Sequence, residues 1–224
     1  MSNFLRPPSL LEKSALDGAA EKYHQQLLSP AGAGLRAYLT ESRGLSPEII
    51  AQFKLGAVLE PAASNETVRG WLSIPYLSPT GTLSMRFRRP PESDAPMKYW
   101  SPKHTRTRVY NTNALVNPGS WLCVAEGEID CVSAVQAGLP TIGIPGVQSW
   151  ASYMKNMLSG FSRIIVLADN DDSGQGLSFG EMIAEQLDEV KIVLAPKGHD
   201  VNSVLKEFGT HGVREKFGID KQGD

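Results

Sequence analysis

Three short runs in this 224-residue sequence gather carboxylates: Glu126-Gly127-Glu128-Ile129-Asp130, Asp169-Asn170-Asp171-Asp172-Ser173-Gly174 and Asp200-Val201-Asn202. They follow the apolar segments WLCVA, RIIVLA and KIVLA, the last after an intervening Pro196-Lys197-Gly198-His199. Carboxylates brought to one place repel, and each raises the pKa of the others unless a cation holds them together. Oxygen-only ligation selects a hard ion, Mg²⁺ or Mn²⁺, which keeps open positions for water and phosphate. Taken singly, the runs have plainer readings. An acid after a strand answers the dipole of the next helix, and Asp200 is a ready N-cap. Asp169, Asp171, Ser173 and Gly174 match the opening of a calcium-binding EF-hand loop. That match fails at Gly180, where a bidentate glutamate belongs, and at the strand-like RIIVLA before it.

The elements that would position these acids are legible in the hydrophobic pattern. From Trp121 onward, short apolar strands (WLCVA, TIGI, RIIVLA, KIVLA) alternate with helices near 129–137, 150–158, 177–187 and 204. Strands apolar on both faces that alternate with helices predict a mostly parallel sheet covered on both sides. Ligands of such sheets bind at the carboxyl ends of the strands, where the three acidic runs stand.

The first half reads differently. Leu11, Ala15, Ala19, Tyr23 and Leu27 recur every four residues as a helical stripe, which Asp17-Gly18 could break. A second helix is expected over 34–43, ending at Gly44. A third starts at Ser46-Pro47 and turns Ile49, Ile50 and Phe53 inward. Strands over 70–77 and 82–88 flank a Ser78-Pro79-Thr80-Gly81 hairpin turn. The expected division is a smaller α+β subdomain over 1–118, an α/β domain over 119–217 and a polar tail over 218–224, with Asn117-Pro118-Gly119 at the change of pattern.

Composition narrows the classes of function. The formal net charge of −2 excludes a wholly basic nucleic-acid coat, but not a local patch. Between Arg86 and Arg108 stand seven basic residues (Arg86, Arg88, Arg89, Lys98, Lys103, Arg106, Arg108) against Glu92 and Asp94, a local charge of +5. Tyr99 and Trp100 lie within the stretch and could stack on bases. The alternative is a solvated basic hairpin with Trp100 in the core. Cys123 and Cys131 cannot supply a disulfide framework or a four-cysteine zinc site. With no signal-peptide core and no membrane-length apolar segment, a reducing cytoplasm is the expected compartment. No G-x-x-x-x-G-K-[ST] motor loop occurs.

Glu-Gly-Glu-x-Asp, then Asp-x-Asp-x-x-Gly, then Asp-x-Asn look like a Toprim domain, the fold shared by type IA and II topoisomerases, bacterial primases and certain nucleases. EGEIDCVSAVQAG is similar to the primase half of phage primase-helicases, which also carry Asp-x-Asn at the third site. Bacterial replicative primases have Asp-x-Asp there, so Asn202 departs from the bacterial pattern. AAEKYHQQLL and AYLTESRGLSPEIIAQFKLG resemble the helical entry to the catalytic domain of bacterial primases. WLSIPYLSPTGTLSMRFRR and MKYWSPKHTRTRVYN resemble its following strands.

The resemblance implies an α/β Toprim domain preceded by a smaller α+β primase-like subdomain. It further implies Mg²⁺- or Mn²⁺-dependent synthesis of RNA primers from ribonucleoside triphosphates on single-stranded DNA. Asp169 and Asp171 are the expected metal ligands, with Asp130 and Asp200 as ligands or their supports and Glu126 as acid/base or third carboxylate. Arg86, Arg88, Lys98, Arg106 and Arg108 are expected on template or nucleotide. Lacking a zinc ribbon, such a minimal core is expected to rely on a separate zinc-binding polypeptide, a replicative helicase or both. A Toprim nuclease and a non-catalytic replisome module are the rival readings. A topoisomerase needs a strand-passage gate and a tyrosine domain for which 224 residues leave no room.

Overall fold

A computed structural model describes residues 6–102, 105, 108–116, 119–146 and 149–219. Lys103, Arg106 and the Asn117-Pro118 part of the expected boundary lie outside the described residues. The chain divides into two compact units, Met1–Arg106 and Thr107–Asp224. The division falls earlier than the expected boundary because Val109 and Tyr110 already belong to the second unit. Val109 is buried in its core, and Tyr110 pairs antiparallel with Gly143.

In the first unit, α1 (Leu10–Leu28) starts at a capping box in which Ser9 and Glu12 satisfy each other's backbone N–H. The helix runs unbroken through Asp17-Gly18. Its buried face is Ala20, Tyr23, His24 and Leu27, while Leu11 and Ala15 are exposed. A strict four-residue spacing drifts by about 40° per step around a 3.6-residue helix, so the expected stripe winds off the core. Asp17 instead serves the sheet: its Oδ1 accepts from the Thr82 N–H at 2.6 Å. Hydrogen bonding to Thr82, first through its side chain and then through this backbone N–H, holds the carboxyl below the usual range. Asp17→Ala is expected to destabilise the unit by about 1 kcal/mol at neutral pH. Because the folded pKa is depressed, that contribution is present above the unfolded value and lost as pH falls through the folded one. Urea unfolding of both proteins at pH 7 and pH 3 checks this, with the difference shrinking at pH 3.

The expected second helix is α2 (Ala33–Ala37), which continues as one π-type turn over Tyr38–Ser42 before Gly44 takes a φ of 66°. α3 (Pro47–Gln52) is capped by Ser46 Oγ and buries Ile49 and Ile50. The strands β1 (Gly56–Ala57), β2 (Leu72–Ser78), β3 (Gly81–Arg88) and β4 (Tyr99–Trp100) form an antiparallel sheet in that order. Alternation along β3 and β4 assigns the two aromatics to different faces. Phe87 opposes Trp100, and their rings pack at 5.6 Å on the α1 side with Met85, Tyr23 and Ala20. Arg88 opposes Tyr99 on the other face.

The second unit contains β5 (Trp121–Ala125), α4 (Glu128–Gln136), β6 (Thr141–Gly143), α5 (Ser152–Leu158), β7 (Arg163–Ala168), α6 (Gln175–Ala184), β8 (Val190–Leu194) and α7 (Val201–Lys216). The sheet is parallel throughout, in the order β6-β5-β7-β8. Leu122, Val124, Ile164 and Val166 pack against Met154, Leu158, Phe179 and Ile183 of α5 and α6. On the opposite face, Cys131 of α4 lies 3.1 Å from where a Cβ on Gly143 would stand, and α4 packs on α7. Both faces are thus covered, as the apolar runs require. β8 departs from this: as an edge strand it leaves Lys191 and Leu194 exposed. α7 is kinked at Gly209, whose φ of 69° only glycine adopts readily. Among the described residues no helix is long and apolar enough to cross a membrane.

Candidate active site

The chain steps from β5 to β6 on one side and then crosses to β7 on the other, so the strand order reverses between β5 and β7. Open α/β sheets bind ligands at the carboxyl ends of the strands flanking such a reversal. Here Glu126 follows Ala125 of β5 and Asp169 follows Ala168 of β7, with Ala125 in register with Leu167.

Gly127 makes the exit from β5. Its φ of 128° and ψ of 172° are closed to other residues at low energy, and they turn the chain straight into α4. This sets Asp130 in the first helical turn, where its Oδ1 accepts from the Asn202 N–H at 3.0 Å. Glu126 is half-buried, and burial, then the charge of Asp171, raises its carboxyl pKa.

Asp169 is the most perturbed acid of the site. Its Oδ1 is buried without a hydrogen-bond partner. Burial, followed by the charges of Asp130, Asp200, Glu126 and Asp171, pushes its carboxyl up to about 8. Asp171, two residues on, has the opposite setting. It is exposed and accepts from Ser173 N–H and Ser173 Oγ–H, bonds that hold its carboxyl below the usual range. Asp200 is the N-cap of α7, accepting from the Ser203 N–H at 2.6 Å, so its plain reading holds alongside its charge on Asp169.

All five acids singled out in the sequence therefore meet at one sheet edge. Among the described residues they do not stand as a closed cluster of three metal-ligating side chains. The donor set fits a hard divalent cation: every donor is a carboxylate oxygen, and a buried one lacks any other partner.

Sequence reading missed the groups that hold Asp169 in place. A Cβ on Gly176 would meet Asp169 O at 2.3 Å and Asp169 N at 2.6 Å, so α6 begins hard against the Asp169 backbone. Asn170 ties the two acid-bearing loops together: its Nδ2 donates to Ala195 O and its N–H to His199 O, and its carbonyl accepts from Gly198 N–H. The second glycine of Ser173-Gly174-Gln175-Gly176 was the available signal. Glu128, named in the first acidic run but given no role there, is 1 % exposed in the first turn of α4. Asn202, 2 % exposed, points into the α4–α7 seam and donates to Ser133 Oγ at 2.9 Å.

The expected basic residues separate in character. In the first unit, Tyr99 carries three cations: Arg86 at 4.2 Å from the ring centroid, Arg88 at 5.2 Å and Lys98 at 5.9 Å. Arg86 is half-buried and Lys98 exposed, whereas Arg88 is buried and donates to the Tyr99 hydroxyl. Arg88 thus supports Tyr99 rather than facing outward. In the second unit, Arg108 is half-buried two residues before the Tyr110–Gly143 bridge and interacts electrostatically with Tyr153 of α5. Both cysteines are buried, with Cys123 pushed up to about 12 and Cys131 also raised, by burial first in each case. Neither is a thiolate ligand.

Residues 123–205, from β5 into α7, match the Toprim-like family. The "Gene 57 protein" of Mycobacterium phage D29 is 35% identical over 154 residues, 66% of this chain and 99% of that protein. A DNA primase of Aquifex aeolicus is 23% identical over 239 residues, covering 89% of this chain, which spans only 47% of that primase. Among solved structures, the DnaG primase catalytic domain bound to single-stranded DNA superposes with a TM-score of 0.72 at 19% identity, over 92% of this chain and 80% of that one. The fold likeness therefore extends through both units, beyond the Toprim segment itself. The chain belongs to the family of the phage D29 Gene 57 protein, and carries a Toprim-like segment within the fold of the DNA primase catalytic core.

Proposed function

We propose that this chain is the catalytic core of a primase, joining ribonucleotides into short RNA primers on single-stranded DNA. The observation that carries the proposal is the buried, unpartnered Asp169 carboxylate at the sheet's switch point, ringed electrostatically by the Toprim acids. Support also comes from the primase catalytic-core fold spanning both units, a relative of which was captured with single-stranded DNA.

Asp169, Asp171, Asp130 and Asp200 would hold Mg²⁺ or Mn²⁺, which when bound offsets the charge of a triphosphate and lowers the pKa of an attacking hydroxyl. The chain's own residues do the rest. Glu126, whose carboxyl pKa is raised by burial and then by the charge of Asp171, is placed to exchange a proton with a reacting oxygen. Asp171, kept ionised by Ser173, presents a fixed negative charge to solvent. Tyr99, with Arg86 and Lys98, offers stacking and positive charge to a template strand. Arg108 is assigned to the nucleotide, at the β6 side of the acidic edge; Arg106 keeps the same assignment from sequence. Template selection is assigned, as in the sequence reading, to a separate zinc-binding polypeptide, a replicative helicase or both. We assign the activity to the cytoplasm, a reading supported by the two free thiols of a chain suited to a reducing compartment.

The test is purified protein with single-stranded DNA, Mg²⁺ or Mn²⁺ and labelled ribonucleotides, with a zinc-binding partner added in a parallel reaction. Short RNA products that vanish in Glu126→Ala are the expected result. Shortening of the DNA without ribonucleotides, dependent on Asp169, would establish a Toprim nuclease instead.

The basic surface has its own expected result. Arg86→Ala with Lys98→Ala should weaken single-stranded DNA binding and reduce the salt slope by about 1.4, at about 0.7 per phosphate neutralised. Arg88→Ala should mainly lower stability, by roughly 1–3 kcal/mol, through the buried bond lost at Tyr99. Fluorescence anisotropy across a salt series, with melts of each variant, separates the two effects.

A further inference from the structure

The third acidic motif of this chain ends in Asn202, where the bacterial pattern has a second carboxylate. Its side chain is engaged in the α4–α7 seam. Nδ2 donates to Ser133 Oγ at 2.9 Å inside the α4–α7 seam, and Ser133 Oγ donates in turn to Ile129 O at 2.8 Å within α4. Ser133 is fully buried and Asn202 nearly so. The backbone N–H of the same Asn202 donates to Asp130 Oδ1 at 3.0 Å. One residue thus grips α4 twice, once through its side chain and once through its peptide, and the peptide's partner is an acid of the site.

The rest of the α7 N-terminus is fixed around this grip. The capping box between Asp200 and Ser203 sets the first turn. Asn170 N–H donates to His199 O, and Gly198 N–H donates to Asn170 O, which pins the incoming loop to the one that carries Asp169 and Asp171. The Asn202–Ser133 bond fixes the Asn202 peptide against the first turns of α4, while Arg214 of α7 donates to Ala137 O and Gly138 O at the other end of the seam. Buried side-chain bonds of this kind orient the groups that bind a metal, and their loss commonly weakens metal binding 10- to 100-fold.

We propose that Asn202 is a positioning residue: through Ser133 it locks α7 onto α4 so that its peptide N–H aims the Asp130 carboxylate into the acidic edge, and position 202 is not a metal ligand. This rests on the reading that Asp130 belongs to the metal site. A carboxylate at 202 would face Ser133 Oγ–H in the seam, deep beside Asp130, where it would add repulsion and no ligand.

The experiment measures Mn²⁺ binding by calorimetry, alongside metal-free thermal unfolding, for wild type, Asn202→Ala, Asn202→Asp, Ser133→Ala, Asp130→Ala and the Asp130→Ala/Asn202→Ala pair. Asn202→Ala and Ser133→Ala should each weaken Mn²⁺ binding about 10-fold or more. The Asn202 change should add nothing once Asp130 is gone, because both act on the same carboxylate. Asn202→Asp should bind no more Mn²⁺, and no more tightly, than wild type. A lower melting temperature with wild-type Mn²⁺ affinity in Asn202→Ala would overturn the proposal, leaving only a structural seam bond. So would tighter or additional Mn²⁺ binding in Asn202→Asp, which would make 202 a ligand position. Unchanged affinity in Asp130→Ala would overturn the metal-site reading of Asp130 and the proposal with it.

Discussion

Asp169→Asn is expected to eliminate primer synthesis, by roughly 10³-fold or more, while making the metal-free protein more stable at neutral pH. The two effects share one cause. Asp169 is buried, its Oδ1 lacks a hydrogen-bond partner, and four other carboxylates bear on it. In the folded protein without metal it titrates at about 8, against about 3.9 in an unfolded chain. Between these values the folded state holds a proton that the unfolded state has released. Stability from this group is therefore complete below pH 4 and declines as pH rises toward 8. Asparagine keeps the shape and removes the titration, so the variant's stability should vary less across that window. A divalent cation takes the place of the proton, so Mn²⁺ should restore stability to wild type at pH 8 and do much less for the variant. Chemical unfolding at pH 5 and pH 8, with and without Mn²⁺, measures all of this. Parallel pH profiles for the two proteins would remove Asp169 from the centre of the site.

Gly176→Ala should lower activity about 100-fold without touching any acid. The added methyl would stand 2.3 Å from Asp169 O, 2.6 Å from Asp169 N and 2.9 Å from Asp169 C. These are backbone atoms in a chain already committed to β7, so no rotamer change relieves the clash, and either α6 or Asp169 must move. Overpacking of this kind costs about 1–3 kcal/mol, and a displacement of the carboxylate by even part of an ångström is felt directly in the chemistry. Gly18→Ala is the contrast. Gly18 lies exposed within α1 with no atom near its absent Cβ, so alanine there should add up to about 1 kcal/mol of stability. Steady-state primer synthesis and Mn²⁺ affinity of the two variants decide the matter. Wild-type turnover by Gly176→Ala would mean that the α6 entry is free to shift without disturbing the acids.

The gathering of Glu126, Asp130, Asp169, Asp171 and Asp200 at one edge was determined by sequence alone. Apolar runs of strand length and their alternation with helices are local signals, and a parallel sheet turns every strand's carboxyl end the same way. Local caps were equally legible, as Ser46 and Asp200 illustrate, because a cap and its partner lie three residues apart. What only the tertiary structure decided is what each of these side chains faces. Asp169 and Asp171 are two residues apart in one motif, yet one is buried and raised to about 8 while the other is exposed and lowered. Arg86 and Arg88 share a face of β3, yet Arg86 is half-buried while Arg88 is buried beneath Tyr99 and donates to its hydroxyl. The stripe drawn through Leu11 and Ala15 wound off the core. Asn202 proved to hold Asp130, a residue 72 positions away. Burial and hydrogen-bond partners are set by elements distant in the chain that pack together only on folding. A short motif records which residue types reach an edge; the packing around that edge determines their charge and their partners.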